Sequence, residues 1–399
     1  MFCYHLLMIH RGVATFTLDD GRCPKWLFLR MVKLGREMTR SLVAEYGPDE
    51  FVKRIADPVW FQSLGTVLAF DWNASGLTTL LTAALKEAIR GEERELGVFI
   101  CGGKGKTSRK TPDEIARWGQ RLALTERSTE NLAYNSRMAA KVDSALVQDG
   151  FQIYHHSFFF SRNGAWTVVQ QGMNPDAGAA RRYHWHSANV EDIVCEPHTA
   201  IASEVLADRP LNMVAKASGE SRDLSVEMVQ AGYRSLMNDI EIIRRHSSAF
   251  SRMVSARSRS TGEQLTLLEL EDQEFKWHPV AAEDFSRSKY LEKILAKVTF
   301  IRPRGYEELV AMEGVGPKTV RALALVGEVI YGAKPSYEDP ARYSFAHGGK
   351  DATPYPVDRR TYDRTIAVMA EAVRQSRIET REKDRALRRL AQSEATGNG

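Results

Sequence analysis

The sequence predicts an α+β, mainly helical protein, and three observations predict it. Apolar residues recur at helical spacing through long stretches on both flanks of the chain. One short block, from Gly150 to Ser187, is instead aromatic and β-branched, and it is broken by Asn163-Gly164, a dipeptide of tight strand-to-strand turns. Near the C-terminus the string Glu-Gly-Val-Gly-Pro-Lys, residues 313–318, separates two further helical runs.

Each element follows in order. Residues 24–46 carry apolar residues at helical spacing with basic residues between them. Residues 49–70 read as a second helix, broken near Pro58, whose ring removes a backbone donor. Residues 75–91 read as a third, with Ser75 as its N-cap. Residues 96–103 are a short apolar run ending in glycines, as in a buried strand. Helix resumes over 111–147, where Thr-Pro-Asp-Glu supplies a capping pattern with proline in the first turn. The central block supplies strands at 151–160 and 165–173, with a candidate third at 180–187. Residues 223–256 and 288–300 return to helix, and the polar, basic stretch 255–264 is expected to be a linker or mobile loop. Residues 305–331 hold the glycine turn between two helices, and 357–376 form one clear helix. The tail from Ser376 is charged, with no apolar stripe beyond Leu387 and Leu390, so a solvated helix is expected. The domains expected are a helical N-terminal domain at 9–95, a mixed α/β core at 96–215 and a helical region at 216–300. A C-terminal helical domain at 301–375 and a charged tail at 376–399 complete the chain.

Bulk composition narrows the class. At 399 residues and 43% hydrophobic, the chain is long enough for two or three domains with sizeable cores. A net charge of +4 is too small to name a partner, so local charge has to decide. Cys3, Cys23, Cys101 and Cys195 are far apart and form no Cys-x-x-Cys pair. That argues against a zinc ribbon and a disulfide framework and fits a reducing cytosol. No apolar run approaches the ~20 residues of a membrane helix. The opening MFCYHLLMIHRG lacks the basic start and cleavage site of a signal peptide, and Met8 is an alternative start. A cytoplasmic, nucleoid-associated protein is expected.

The turn at 313–318 asks for a phosphate. Gly314 and Gly316 give the backbone freedom for a sharp reversal and leave no Cβ between main-chain amides and a ligand. Pro317 suits the first turn of a helix. Unpaired amides at that helix start favour an anion, and Lys318 sets a cation beside them. Val315 is expected to point back and staple the two helices together. This is the helix-hairpin-helix pattern, a clamp for nucleic-acid backbones that reads no bases. Gly314, Val315, Gly316, Lys318 and Thr319 are the expected contacts, and an ordinary turn between two helices is the alternative reading. A second cationic site is expected at Lys104, Lys106, Arg109 and Lys110, on a glycine-containing loop between a strand and a helix. The nucleotide-binding pattern G-x-x-x-x-G-K-[ST] is absent there.

Two resemblances add to this. Residues 312–327, with the Tyr-Pro-Val-Asp-Arg-Arg-Thr string at 355–361, resemble the helix-hairpin-helix DNA glycosylase superfamily. The resemblance implies Lys318 as a lyase amine and Asp358 as the carboxylate that supports base excision. The two are forty residues apart here, wider than is usual in that family, and Asp358 also suits the N-cap of the helix after it. Over roughly residues 9–375, the strings PKWLFLRMVKL, LAFDWNASGLTTLLTAALKE, GGKGKTSRKTPDEI, WTVVQQGMN, ARRYHWHS and FAHGGKDATPYPVDRRTYD resemble the prokaryotic family numbered seven-six-three among the domains of unknown function. That resemblance implies DNA processing, with a structure-selective endonuclease as the expected activity.

Five of the ten histidines fall between 155 and 198, so this segment is where a metal would be sought. They are His155, His156, His184, His186 and His198, near Asp143, Asp149, Gln170 and Gln171. A nuclease using Mg²⁺ or Mn²⁺ needs a few oxygen or imidazole ligands on adjoining strands. The expected catalytic set is Asp143, Asp149, His155, His156, Gln170 and Gln171, and the expected metal ligands are Asp149, His155, His184 and His186. Arg181 and Arg182 are expected to neutralise the phosphodiester, although no clean D…E-x-K run is present. On a strand His155 and His156 point to opposite faces, while His184 and His186 share one face with Trp185 on the other. The function expected is therefore a metal-dependent DNA endonuclease acting in repair or recombination, binding backbone phosphates. A homodimer and other repair proteins are left open as partners. The alternatives are a glycosylase/lyase using Lys318 and Asp358, and a non-catalytic DNA-binding module.

Overall fold

A computed structural model of the chain describes residues 23–68, 74–203, 205–246, 256–257, 264–265, 288–342 and 359–397. The architecture is α+β and mainly helical, with a small antiparallel sheet at its centre. The chain divides into two compact units, Met1–Pro210 with Glu338–Gly399, and Leu211–Tyr337.

The first unit is built on five antiparallel strands: β1 (Val98–Lys104), β2 (Gln152–Ser161), β3 (Trp166–Asn174), β4 (Ala179–His186) and β5 (Ala200–Ser203), each paired with the next. The turn at Asn163-Gly164 forms as its sequence predicts. Gly164 sits at φ +95°, and its amide donates to the Ser161 carbonyl at 3.1 Å. A register shift between Ile153 and His155 sets Tyr154 outside the regular ladder. Cross-strand pairing then fixes the faces: His156 opposes Gln170, which opposes Tyr183, while His155 opposes Gln171, which opposes Arg182. By alternation His156, Phe158, Gln170, Tyr183 and Trp185 share one face, and His155, Phe159, Gln171, Arg182, His184 and His186 share the other.

Helices cover both faces. On the second lie α1 (Lys25–Ile55), α2 (Pro58–Val67) and α3 (Ala74–Ala88). Gly47, at φ +82°, breaks α1 immediately before Pro48. The break expected near Pro58 is there: the Asp57 carboxylate accepts from the Val59 and Trp60 amides and starts α2 with Pro58 in its first turn. Met31, Met38, Leu42, Phe51, Phe61, Leu64, Leu81 and Leu85 form the core here with Phe159 and Val169. After the single turn α4 (Glu93–Leu96), the first face receives α5 (Thr111–Arg121) and α6 (Glu126–Ala145). Phe99 stacks on Phe160 at 4.9 Å and meets Trp118 of α5 at 5.0 Å, so the central aromatics are core.

The second unit is helical: α7 (Gly219–Ala231), α8 (Tyr233–His246), α9 (Lys289–Ile301), α10 (Tyr306–Ala311) and α11 (Pro317–Tyr331). Val229, Ile240, Leu295, Val298, Leu309 and Leu323 are buried in it. The ends of the expected linker pair as a short ribbon, Ala256 with Leu265 and Arg257 with Gln264. The rest of that linker lies outside the described residues.

Three expected boundaries move. Residues 9–95 and 96–215 do not form separate cores, because α1–α3 bury their apolar stripes against the sheet itself. The expected domain at 301–375 is divided: α10 and α11 belong to the second unit, and α12 (Arg359–Gln375) to the first. The tail is not simply solvated. Its helix α13 (Thr380–Gly397) buries Ala386, and with Ile378 just before it joins Met369 and Val373 in the core under α1–α3. Leu387 of the same helix, one of the two leucines noted in the sequence, packs against that core partly buried.

Candidate nucleic-acid interface

The hairpin is built by residues 312–316. The Val315 amide donates to the Met312 carbonyl at 3.2 Å, and the Val315 side chain is buried, as a staple between the helices has to be. Its two glycines have different jobs. Gly314 sits at φ +91°, and a Cβ there would lie 2.3 Å from Cδ1 of Ile294 in α9. Gly316 is extended at φ −148°, a conformation open to any residue, and nothing lies within 4 Å of where its Cβ would be. Gly316 is the N-cap of α11, and no side chain caps the helix start. Pro317 and Lys318 are exposed beside it. The Thr319 side chain, expected as a contact, is buried at 2% exposure, because it falls on the same face as Val320 and Leu323. Asp358 lies outside the described residues.

In the first unit, Lys104 at the end of β1 and Lys106, Arg109 and Lys110 on the 3₁₀ turn that follows, Gly105–Lys110, are all exposed. Its base is rigid. The Gly102 amide donates to Glu114 at 2.8 Å, and Lys86 binds both Glu114 (2.6 Å) and the Gly102 carbonyl (2.9 Å). Gly102 has φ +87°, and a Cβ there would lie 2.3 Å from the His156 carbonyl oxygen, so glycine is required. The Lys104 ammonium sits 5.7 Å from the centre of the Tyr154 ring.

The residues expected to catalyse are interior. Asp143 of α6 is fully buried and accepts from Gln170 Nε2, from Trp185 Nε1 at 3.0 Å and from His198 Nε2 at 2.5 Å. Gln170 also donates to the Ala139 carbonyl, so its oxygen faces His156 Nδ1 at 2.9 Å. His156 Nδ1 therefore carries the proton, and Nε2 accepts from the Ser136 hydroxyl at 2.9 Å. Burial pushes the His156 pKa down. Asp149 accepts from Arg181 (2.8 Å), Tyr183 (2.7 Å) and its own turn at the Phe151 amide (3.0 Å). Arg181 also grips Asp339 at 2.7 and 3.0 Å. Burial alone would lower the Arg181 pKa, but Asp149, Tyr183 and Asp339 together hold it above its ordinary value.

On the opposite face His155 Nε2 meets Thr82 at 3.1 Å and Ser157 at 3.0 Å, and burial pushes its pKa down to about 3. His184 Nε2 accepts from Arg182 at 2.8 Å, and its Nδ1 lies 3.2 Å from the Ile55 carbonyl. His186 Nδ1 sits between Thr167 (3.1 Å) and the Trp166 carbonyl (3.2 Å). Gln171 Nε2 donates to the Tyr154 hydroxyl. Burial drives Arg182 down to about 9.

The metal quartet expected from sequence therefore does not assemble. Asp149 works on one side of the sheet and His155, His184 and His186 on the other, each bound to protein groups. Of the expected catalytic set, Asp143, His156 and Gln170 meet in one chain of hydrogen bonds, Asp149 joins a separate ionic cluster, and His155 and Gln171 lie across the sheet. None of the six exceeds 5% exposure, so no phosphodiester reaches them in this conformation. Among the described residues no group of three His, Cys, Asp or Glu is placed to hold a metal ion. Asp339 and Ser136, which complete these networks, were not singled out from sequence. Their partners are 158 and 20 residues away, and no local pattern joins them.

The fold and the hairpin define the class: a mainly helical α+β protein with a glycine-built turn that opens an uncapped helix start at its surface. The chain belongs to the family described as Protein of unknown function (DUF763), whose sequence profile matches residues 12–357. No curated protein and no solved structure matches the chain. No described helix is long and apolar enough to cross a membrane.

Proposed function

We propose that this chain is a DNA-binding protein that grips backbone phosphates through the 312–318 hairpin without reading bases. The observation that supports it is Gly316: its backbone does not need glycine, yet the missing side chain leaves the uncapped start of α11 open beside exposed Lys318. In the other unit, the Lys104–Lys110 loop offers a second set of exposed cations suited to backbone phosphates. Hydrolysis is not included in this reading, because the side chains expected to supply it are buried and already hydrogen-bonded.

Gly316→Asp tests the proposal with opposite signs on two observables. Aspartate is a better N-cap than glycine, so thermal stability is unchanged or rises by a few tenths of a kcal/mol. The carboxylate would occupy the anion position, so duplex affinity falls by about tenfold or more, read by fluorescence anisotropy across a salt series. Retained affinity would overturn the proposal. The same labelled DNA, incubated with Mn²⁺, with Mg²⁺ and with EDTA, reports any cutting, and borohydride trapping reports any amine chemistry at Lys318.

A further inference from the structure

Helix α9 lies against the hairpin and presents to it more than a packing surface. Its buried face is Leu291, Ile294, Leu295 and Val298. Tyr290, Lys293 and Lys297 are spaced i, i+3 and i+7, so they form one stripe along the flank of that face. The stripe borders the turn. The Tyr290 hydroxyl lies 3.5 Å from the Gly314 carbonyl oxygen, and Lys297 Nζ lies 3.1 Å from the Glu313 carbonyl oxygen and 3.4 Å from the exposed Glu313 carboxylate, an ion pair that a strand phosphate would have to share. Lys293 is exposed, and Tyr290 is 61% exposed.

One contact at the limit of hydrogen-bonding range does not account for a tyrosine ring held in water. The ring is largely exposed with its hydroxyl against the Gly314 carbonyl of the turn, and Lys293 and Lys297 lie one and two helical turns along. A continuous duplex offers the ring nothing, since its bases are stacked inside. An unpaired base offers a π face, and single-stranded binding sites combine such aromatic platforms with cations along the backbone. We infer that Tyr290 stacks on an unpaired base next to the phosphates held by the hairpin, with Lys293 and Lys297 following the same strand. The preferred ligand is then duplex DNA in which one strand continues as a single strand. This rests on the hairpin binding DNA, as proposed above.

The test compares the full-length chain with Tyr290→Ala and Tyr290→Phe on a blunt duplex and on the same duplex with a single-stranded overhang. 2-Aminopurine at the first unpaired position reports stacking. The wild type is expected to bind the overhang DNA about tenfold more tightly than the blunt duplex and to quench the probe. Tyr290→Phe keeps both effects, because the ring and not the hydroxyl is used. Tyr290→Ala loses both, with blunt-duplex affinity within about twofold of wild type. Equal loss on both DNAs would assign the ring to support of the hairpin and overturn the inference. So would wild-type binding to duplex without preference for the overhang. No binding of wild type to either DNA would remove the hairpin reading itself, which separates the two failures.

Discussion

The histidines of the sheet are held neutral by burial, and this makes the first unit acid-sensitive. In an unfolded chain a histidine titrates near 6.5. In the fold burial moves His155 down to about 3, and His156, His184 and His186 also lie below their ordinary value. Between the unfolded and folded values the unfolded chain binds more protons. Stability is therefore complete above about pH 6.5 and is lost as pH falls toward the folded values, by up to about 1.4 kcal/mol per pH unit for each such histidine. Thermal melts are expected to be level from about pH 7 to 8 and to drop below about 6.5. His155→Gln keeps a polar group for Thr82 and Ser157 but does not titrate, so its melting temperature should fall less steeply with acid. An identical slope would clear His155 as the source. Strand alternation already says that His155 and His156 part company. It does not say that each meets a hydroxyl at Nε2, because Thr82 and Ser136 come from other helices, or that His155 Nδ1 is left buried without a hydrogen-bond partner. The cluster of titratable residues was legible in the sequence. Its closure to solvent was not.

At the level of one element, the hairpin assigns its two glycines to different tasks, and mutation separates them. Gly314 carries the turn: its left-handed φ and the 2.3 Å approach to Ile294 both penalise a side chain. Gly314→Ala is expected to cost about 1–3 kcal/mol in thermal or denaturant melts. Gly316→Ala meets neither penalty and is expected to melt within about 0.5 kcal/mol of wild type. If both variants melt alike, Gly314 is not the pivot of the turn. The string Gly-Val-Gly-Pro-Lys was enough to place a turn and a helix start, since glycine freedom and the proline at the first helical position are local effects. The division of labour depends on α9, which begins 25 residues before Gly314, and so was not readable there. Thr319 could have been read: it is spaced with Leu323 and Val326 on the inner face of α11, and all three are buried.

For the whole molecule, the chain order does not follow the order of the units, and the last helices belong to the first core. An amphipathic helix has the same apolar stripe whether it closes a bundle of its own or covers a sheet, so α1–α3 gave no sign of their partner. The tail was harder still, because Ile378 and Ala386 are two apolar residues in a charged segment. Yet both are buried against the core that holds Met31, Leu64 and Met369. Removing residues 377–399 takes away the Ile378 side chain and the Ala386 methyl and uncovers what they cover. The expected loss is about 2 kcal/mol or more, the burial value of an isoleucine with an alanine added, seen as a lower melting temperature. The hairpin lies in the other unit, so DNA affinity of the shortened chain is expected to stay within about twofold of the full chain at a temperature where both are folded. A shortened chain that melts like the full one would return the tail to solvent. One that keeps its melting temperature but loses affinity would make the tail part of the DNA grip, since its helix carries Lys383, Arg385, Arg388 and Arg389.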